Sequence, residues 1–546
     1  MNNAEPALLA WLDDPALDRG VHLAKPGNEW EFTSYRDLAD RTARIGSCLI
    51  ERGVRPGDVV ALVQRSSPDF IACMFGAISI GATPCVVAPP FAYQGADRYE
   101  RHASQLLRMA DPATVVVDEE ALGRVTDIVR DFGWAQPLSA AELGDPGALR
   151  PARPPTRSDT ALLQFTSGSS GVSRGVRISR GALESNLAGM RNWLGWTSEL
   201  RSAMWLPVHH DMGLVGGVFN SVTNQSDFWL LQPEDFIRSP LRFLSCLSAN
   251  RVGVTALPNF ALAYILRRVR PADLDELSFD ALRCVILGAE RIDADLLRRF
   301  GKLLAYRGFD DRALLPAYGS AEATLAITGL RRGVGWTSSA PDSDKDSVRT
   351  EPEAELVGCG PPLDGVTLAV VDEAGRPVPD GRIGEITVTG STVATGYTGD
   401  PGSASGTVLD GRCLHTGDAG FLRDGQLFVL GRLGDGLKVR GRMVFAESLE
   451  ARLVEHGVPE RRAAVLLGVR DGVATAAVAL ELPKPEWVEA ALGVLREEDL
   501  ENTRLITLSL PRGGLAVTSS GKPRRRVMWQ ALCGGELGTE VVHASR

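Results

Sequence analysis

Residues 162–178 read LLQFTSGSSGVSRGVRI, and the rest of the chain is best understood outward from them. The apolar run Ala161-Leu162-Leu163-Gln164-Phe165 predicts a buried strand, broken by Thr166-Ser167-Gly168-Ser169-Ser170-Gly171, with strand character resuming at Val176-Arg177-Ile178. Gly168, Gly171 and Gly175 permit positive φ and close backbone approach. Hydroxyls and free backbone N–H groups between them can surround an anion, which suits a polyphosphate. The stretch is not a Walker A loop, because no Gly-Lys-Ser/Thr follows. On composition alone, an ordinary Gly/Ser hairpin is the better reading.

At 546 residues the chain exceeds one small core, so two or more domains are expected. A hydrophobic content of 44% with 23% charged residues is that of a water-soluble globular protein. The net charge of −9 argues against a general nucleic-acid binder. None of the eight cysteines forms a C-x-x-C pair, and Cys73, Cys85, Cys246 and Cys284 lie in apolar runs. They read as small buried hydrophobes in a reducing, cytoplasmic setting. The N-terminus has neither a basic nor an apolar signal region. Residues 70–95 carry no charge, but Gly76, Ser79, Gly81, Thr83 and Pro84 divide them into a buried helix and a strand rather than a membrane span.

Along the chain, strand and helix patterns alternate. A helix opens at an Ser34 N-cap, with apolar positions Leu38, Ile45, Leu49 and Ile50. Strands are predicted at 59–63, 114–117, 161–165, 252–255 and 284–287, and helices at 68–80 and after Ser179. Such alternation argues for parallel sheets with helices on both faces. Residues 330–355 lapse into a polar loop, 366–371 and 384–388 read as strands with little helix between, and the segment beyond 436 carries its own strand and helix signals. The expected fold class is α/β: a large N-terminal domain, 1–434, of parallel-rich sheets with flanking helices and a β-rich subdomain at about 357–430, then a small mobile α+β lid domain, 435–546. Gly434-Asp435-Gly436 has the composition of a hinge.

Five further stretches accompany the Ser/Gly loop, in this order: WLPVHHDMG at 205–213, LGAE at 287–290, YGSAEAT at 318–324, HTGD at 415–418 with GRLGD at 431–435, and SSGK at 519–522. Together they resemble the signatures of the adenylate-forming ligases, over nearly the whole chain. The WLP..HDMG and YGSAEAT forms are closest to the branch that contains fatty-acyl-AMP ligases.

The resemblance implies an acid–thiol ligase that activates a carboxylic acid as acyl-AMP and passes it to a thiol. Its cofactors would be ATP/AMP, Mg2+ and coenzyme A. Thr166, Ser167, Gly168, Ser169, Ser170, Gly171 and Arg174 correspond to the phosphate loop, and Gly288, Ala289, Glu290, Tyr318, Gly319 and Ser320 to the adenine pocket and its flank. Glu322 and Thr324 match positions for Mg2+ and the α-phosphate, where a carboxylate suits a hard cation. Asp418 and Arg432 match the ribose site. Lys522 matches the lysine that reaches the α-phosphate and the attacking carboxylate; next to Arg524, Arg525 and Arg526 it would otherwise read as a solvated basic run. His210 matches a histidine of the acyl channel, and Asp211, Val215, Gly216 and Phe260, with Ala261, Leu262 and Ile265, are candidates for an apolar acid pocket. After adenylation the family's lid turns about a hinge Asp, here Asp435, replacing Lys522 at the site by Lys438 and the Val439-Arg440-Gly441 turn.

The chain departs from the pattern at several places. Ser173-Arg174 stand for the family's Pro-Lys, and a planar guanidinium is not equivalent to an ammonium. Gly436 follows the hinge Asp where an apolar residue is usual, and Ala446-Glu447 stand for Pro-Gln. Residues 329–357 are a short, polar version of the insertion thought to block coenzyme A use in fatty-acyl-AMP ligases, which favours a coenzyme A ligase. These departures touch ATP handling, so thioester formation from acyl-AMP is expected to be the stronger half-reaction, with a partner adenylating enzyme as one source of the adenylate. Two alternatives are an acyl-AMP ligase loading a separate carrier protein, and a binding relic without turnover.

Overall fold

The computed structural model describes residues 8–90, 96–143, 156, 159–166, 173–342, 356–398, 406–439, 442–498, 500, 503–518 and 521–543. Two large sheets carry the α/β architecture. One has seven strands in the order Gly396–Thr398, Gly175–Ser179, Thr160–Phe165, Thr83–Val86, Val59–Val63, Thr114–Val117, Leu138–Ser139. Its members from Thr160–Phe165 onward run parallel, and the other two add antiparallel at one edge. The second has eight strands, ordered Ala326–Gly329, Leu314–Gly319, Cys284–Leu287, Val254–Ala256, Ser202–Met204, Phe228–Leu230, Gly20–Ala24, Trp30–Ser34, parallel except for the outermost strand at each end.

Local sequence accounts for the helices packed against them. Ser34 Oγ accepts the Asp37 amide at 3.1 Å and starts the helix Tyr35–Glu51, which buries Leu38, Ile45 and Leu49. The uncharged segment forms the buried helix Pro68–Ser79, with proline in its first turn and Ser67 accepting from the Phe70 amide. Strand Thr83–Val86, buried throughout, follows it. Among the described residues no helix is long and apolar enough to cross a membrane.

A third, antiparallel sheet contains Val366–Val371, Gly384–Gly390, Cys413–Arg423, Val408–Asp410 and Gln426–Arg432. Asp418 lies inside the eleven-residue strand Cys413–Arg423, which continues past it because Gln426–Arg432 pairs alongside, with a bulge at Ala419/Gly420. The expected polar loop is interrupted by the short strand Ser338–Ser339, paired with Leu356–Val357. Beyond the hairpin Gly436–Val439/Arg442–Phe445, four strands (Ala463–Arg470, Val473–Glu481, Arg504–Leu510, Thr539–His543) carry the helices Ala446–Glu455, Pro485–Glu497 and Arg525–Cys533. Apolar residues are buried on both faces of this small sheet, as with Val478 and Leu505 on one and Ala477 and Ile506 on the other.

Candidate active site

Parallel strands of the eight-stranded sheet discharge their C-terminal ends toward one place, where open α/β sheets form crevices. Ser202–Met204 leads to His209 and His210, Val254–Ala256 to Phe260, Cys284–Leu287 to Gly288-Ala289-Glu290, and Leu314–Gly319 ends in Tyr318 and Gly319. Gly319 is demanded by packing, because a β-carbon there would lie 1.9 Å from the Leu325 carbonyl oxygen. The hairpin of the seven-stranded sheet supplies Arg174, and the antiparallel sheet supplies Asp418 and Arg432.

Arg174 bridges two sheets. Its Nη2 donates to Glu322 Oε1 at 2.9 Å, its Nη1 donates to the Thr407 carbonyl at 3.0 Å, and its guanidinium lies 4.1 Å from the Tyr397 ring centre. The Tyr397 hydroxyl also donates to Glu322 Oε1, at 3.1 Å. Both charged side chains are buried (9% and 8% exposed), so each depends on the other for compensation. Burial, followed by the Glu322 charge, pushes the Tyr397 phenol well above its ordinary range.

A second cluster adjoins the first through Thr407, whose hydroxyl accepts from Arg432 Nη1 at 3.1 Å. Asp418 and Arg432 are cross-strand partners, with Nε and Oδ1 3.0 Å apart. The Tyr318 hydroxyl donates to Asp418 Oδ2 at 2.6 Å. Burial and the Asp418 carboxylate hold the Tyr318 phenol well above its ordinary value, while Asp418 above all raises Arg432. Both Asp418 oxygens are therefore engaged, and two ribose hydroxyls would share or displace these donors.

Two residues of the site carry backbone strain. Thr324 has φ 72° and ψ −56°, unfavourable for a β-branched residue, and Ala289 has φ 68°. The Thr324 hydroxyl, expected to meet a phosphate or metal, instead donates to the Thr392 carbonyl at 2.7 Å and is fully buried. Mg2+ chemistry calls for hard oxygen donors with room for water. Glu322 supplies a carboxylate of that kind, although its Oε1 is already engaged by Arg174 and Tyr397, whereas the Thr324 hydroxyl is spent on the Thr392 carbonyl. Bound there, the ion would neutralise charge developing on a phosphate.

On the acid side, burial pushes the His210 imidazole down to about 4, helped by the Lys522 ammonium, and burial holds His209 low as well. His210 is thus neutral near pH 7. Burial raises the Asp211 carboxyl, and Asp211 Oδ1 accepts the Met212 amide at 2.8 Å to start the buried π-helical turn Met212–Phe219 that contains Val215 and Gly216. Lys522, on the C-terminal segment, lies near enough to bias both His210 and Asp211. His210 Nε2, Ser320 Oγ, Gln164 Oε1 and Thr392 Oγ1 are buried with no hydrogen-bond partner among the described residues, as expected of groups that meet a polar ligand. Glu290 accepts the Phe260 amide at 3.3 Å, while Ala261, Leu262 and Ile265 are core residues.

Asp435 sits in the short turn Leu433–Asp435 and pairs with Arg525 at 3.0 Å. Arg525 also binds Glu447 at 2.7 Å and Glu450 at 2.6 Å. Burial pushes the Glu447 carboxyl up to about 7 against the pull of Arg525, because three carboxylates share one guanidinium. Gly436 has φ −101°, a conformation open to any residue. Lys438 lies on the strand Gly436–Val439. Ser167, Gly168, Ser169, Ser170 and Gly171, like Arg440, Gly441, Ser519 and Ser520, lie outside the described residues.

Sequence reasoning missed Tyr397 and Thr407. Tyr397 reaches Arg174 because its strand pairs with Gly175–Ser179, with Tyr397 opposite Val176, across more than two hundred residues of chain. No local pattern carries that pairing.

The family model for AMP-binding enzymes matches residues 9–398. The chain belongs to this family of adenylate-forming ligases. It is 29% identical to a 4-hydroxyphenylalkanoate adenylyltransferase of Mycobacterium bovis, covering 86% of this chain and 81% of the relative. Its identity to the medium-chain-fatty-acid–[acyl-carrier-protein] ligase JamA of Moorena producens is 27%, over 90% and 88% of the two chains. A solved structure from a study of fatty acyl-adenylate ligases from E. coli and L. pneumophila superposes with a TM-score of 0.87 at 27% identity, covering 97% of this chain and 98% of that one.

Proposed function

We propose that the protein forms an acyl-adenylate from a carboxylic acid and ATP and passes the acyl group to a pantetheine thiol. The observation that carries this reading is the convergence of Asp418, Tyr318 and Arg432, joined through Thr407 to Arg174 and Glu322. Asp418 and Arg432 hold the ribose, and Gly288, Ala289 and Tyr318 flank the adenine. Lys522 neutralises charge as a carboxylate oxygen bonds to the α-phosphorus and pyrophosphate departs. Neutral His210 orients the acid without repelling Lys522.

The acid is apolar, with Val215, Gly216 and Phe260 as its lining, and fatty or arylalkanoic acids match the relatives. Residues 435–546 act as the lid, turning about Asp435 to exchange Lys522 for Lys438. Coenzyme A is the acceptor favoured by the short 329–357 region. A carrier protein is the second reading, favoured by similarity to a ligase named for that acceptor. Thioester formation is the stronger half-reaction, because Arg174 already engages the Glu322 carboxylate that Mg2+ needs. The test supplies decanoate with Mg-ATP, and separately decanoyl-AMP, with coenzyme A or a phosphopantetheinylated carrier as acceptor. Thioester in the decanoyl-AMP reaction, with little from free acid, is the expected result. Thioester from neither source defeats the reading.

A further inference from the structure

The C-terminal segment also reaches Phe260, through Arg461, a residue that the chemistry above does not use. The guanidinium of Arg461 lies 4.2 Å from the centre of the Phe260 ring. The same guanidinium lies close to Gly521, where a β-carbon would stand 3.0 Å from Arg461 Nη1. Gly521 immediately precedes Lys522. One arginine therefore contacts both the Phe260 ring and the turn that presents the lysine.

The surroundings are built for this contact. Arg461 adopts φ 66°, a left-handed conformation that disfavours a side-chain-bearing residue. The turn is fixed by Arg462, whose amide donates to Pro459 O and whose guanidinium pairs with Glu481 at 3.2 Å. Glu460 faces Glu290, Arg267 and Asp293, residues that precede the C-terminal segment, as well as Arg461. Phe260 is itself held by the hydrogen bond its backbone N–H donates to Glu290 Oε2 and by edge contact with Trp205, ring centres 5.9 Å apart. Gly521 has φ 85°, so its turn accepts no larger residue without strain and without striking Arg461.

We propose that Arg461 is a positioning residue for adenylate formation: it docks the C-terminal segment on Phe260 by a cation–π contact and so sets Lys522 over the acid. This rests on the function proposed above for the catalytic step, but the docking contact itself does not. Once the lid turns, the contact is broken, so thioester formation does not use it.

The experiment compares the full-length protein with Arg461→Ala and Arg461→Lys. Hydrogen exchange of peptides spanning 258–261 and 521–523, and acetylation of Lys522 by an N-hydroxysuccinimide ester, are read without any substrate. Arg461→Ala should raise exchange in both peptides and increase Lys522 labelling, leaving strand Val473–Glu481 unaffected. Arg461→Lys, which keeps a cation over the ring, should recover part of the protection. With decanoate as the acid, ATP–pyrophosphate exchange should fall about five- to thirtyfold in Arg461→Ala, the range of one cation–π contact. Thioester formation from decanoyl-AMP should stay within about twofold of the unmodified protein. In a Phe260→Leu background the same arginine change should have less than about twofold further effect. Unchanged exchange and labelling in Arg461→Ala overturn the proposal, as does an equal loss in both half-reactions. Lost docking in a protein that turns over neither acid nor adenylate leaves Arg461 as the docking residue and removes the proposed function instead.

Discussion

Replacing Arg174 with lysine separates what the guanidinium does for the fold from what it does to the Glu322 carboxylate. Arginine here makes three contacts at once: Glu322 at 2.9 Å, the Thr407 carbonyl at 3.0 Å, and the face of Tyr397 at 4.1 Å. A lysine ammonium keeps the charge but cannot hold two acceptors in a fixed fork while stacking on a ring. Losing the carbonyl bond costs about 1 kcal/mol and losing the partly desolvated cation–π contact about 1–2 kcal/mol. The variant should therefore unfold with about 2–3 kcal/mol less stability, without the larger penalty of about 3–5 kcal/mol that follows complete removal of one partner from a buried ion pair. The same loosening frees Glu322 for Mg2+. If Arg174 takes about 1.4 kcal/mol from the metal-bound transition state, ATP–pyrophosphate exchange rises about tenfold and half-saturation by Mg2+ moves to lower concentration. Restoring proline at position 173 as well should add to the exchange rate without a matching gain in thioester formation. Denaturant melts and exchange assays across a magnesium titration read both effects. An exchange rate that falls, with magnesium dependence unmoved, would refute the idea that Arg174 competes for Glu322.

Asp418→Ala should weaken AMP and acyl-AMP binding alike, by about 1.5–3 kcal/mol, in calorimetry; undiminished affinity removes Asp418 from the nucleotide site. Lys522→Ala should slow adenylation about 10²–10³-fold while largely sparing thioester formation from supplied acyl-AMP, read in paired half-reaction assays. Asp435→Pro should do the reverse, since proline fixes φ and removes a donor at the pivot, and stopped-flow transfer from acyl-AMP is the measurement. Glu447 has a folded-state value raised by burial to about 7 from an ordinary 4.5, so its stabilising contribution is complete below about 4.5 and lost as pH rises through about 7. Glu447→Gln should flatten that part of the stability–pH curve and be relatively more stable at pH 8.

The sheet architecture was legible wherever one short segment contained its own signal. Runs such as Val59–Val63 and Cys284–Leu287 are buried parallel strands and read as continuous apolar sequence, and Ser34 announced its helix by a cap that the structure contains. Boundaries moved where flanking turns were ambiguous: the strand expected at 252–255 is Val254–Ala256, and the one expected after Pro84 begins at Thr83. Of the candidate site residues, the structure brings Arg174, Glu322, Tyr318, Asp418 and Arg432 into two adjoining clusters, and puts Lys522 within electrostatic reach of His210 and Asp211. Tyr397, Thr407 and Arg461 were not legible, because their partners are distant in sequence and meet only through sheet pairing or docking. The inward turn of the Thr324 hydroxyl was equally hidden, since it follows from a positive φ that the residue type argues against.

The most direct measurement supplies decanoyl-AMP and coenzyme A to the purified protein and follows AMP release together with acyl thioester by mass spectrometry, against a protein-free control and against Asp418→Ala. The expected result is thioester and AMP in equal amounts, well above the uncatalysed reaction and strongly reduced in the variant. A rate no faster than the protein-free control, with coenzyme A and equally with a phosphopantetheinylated carrier, would contradict the assignment of this site to acyl-adenylate chemistry.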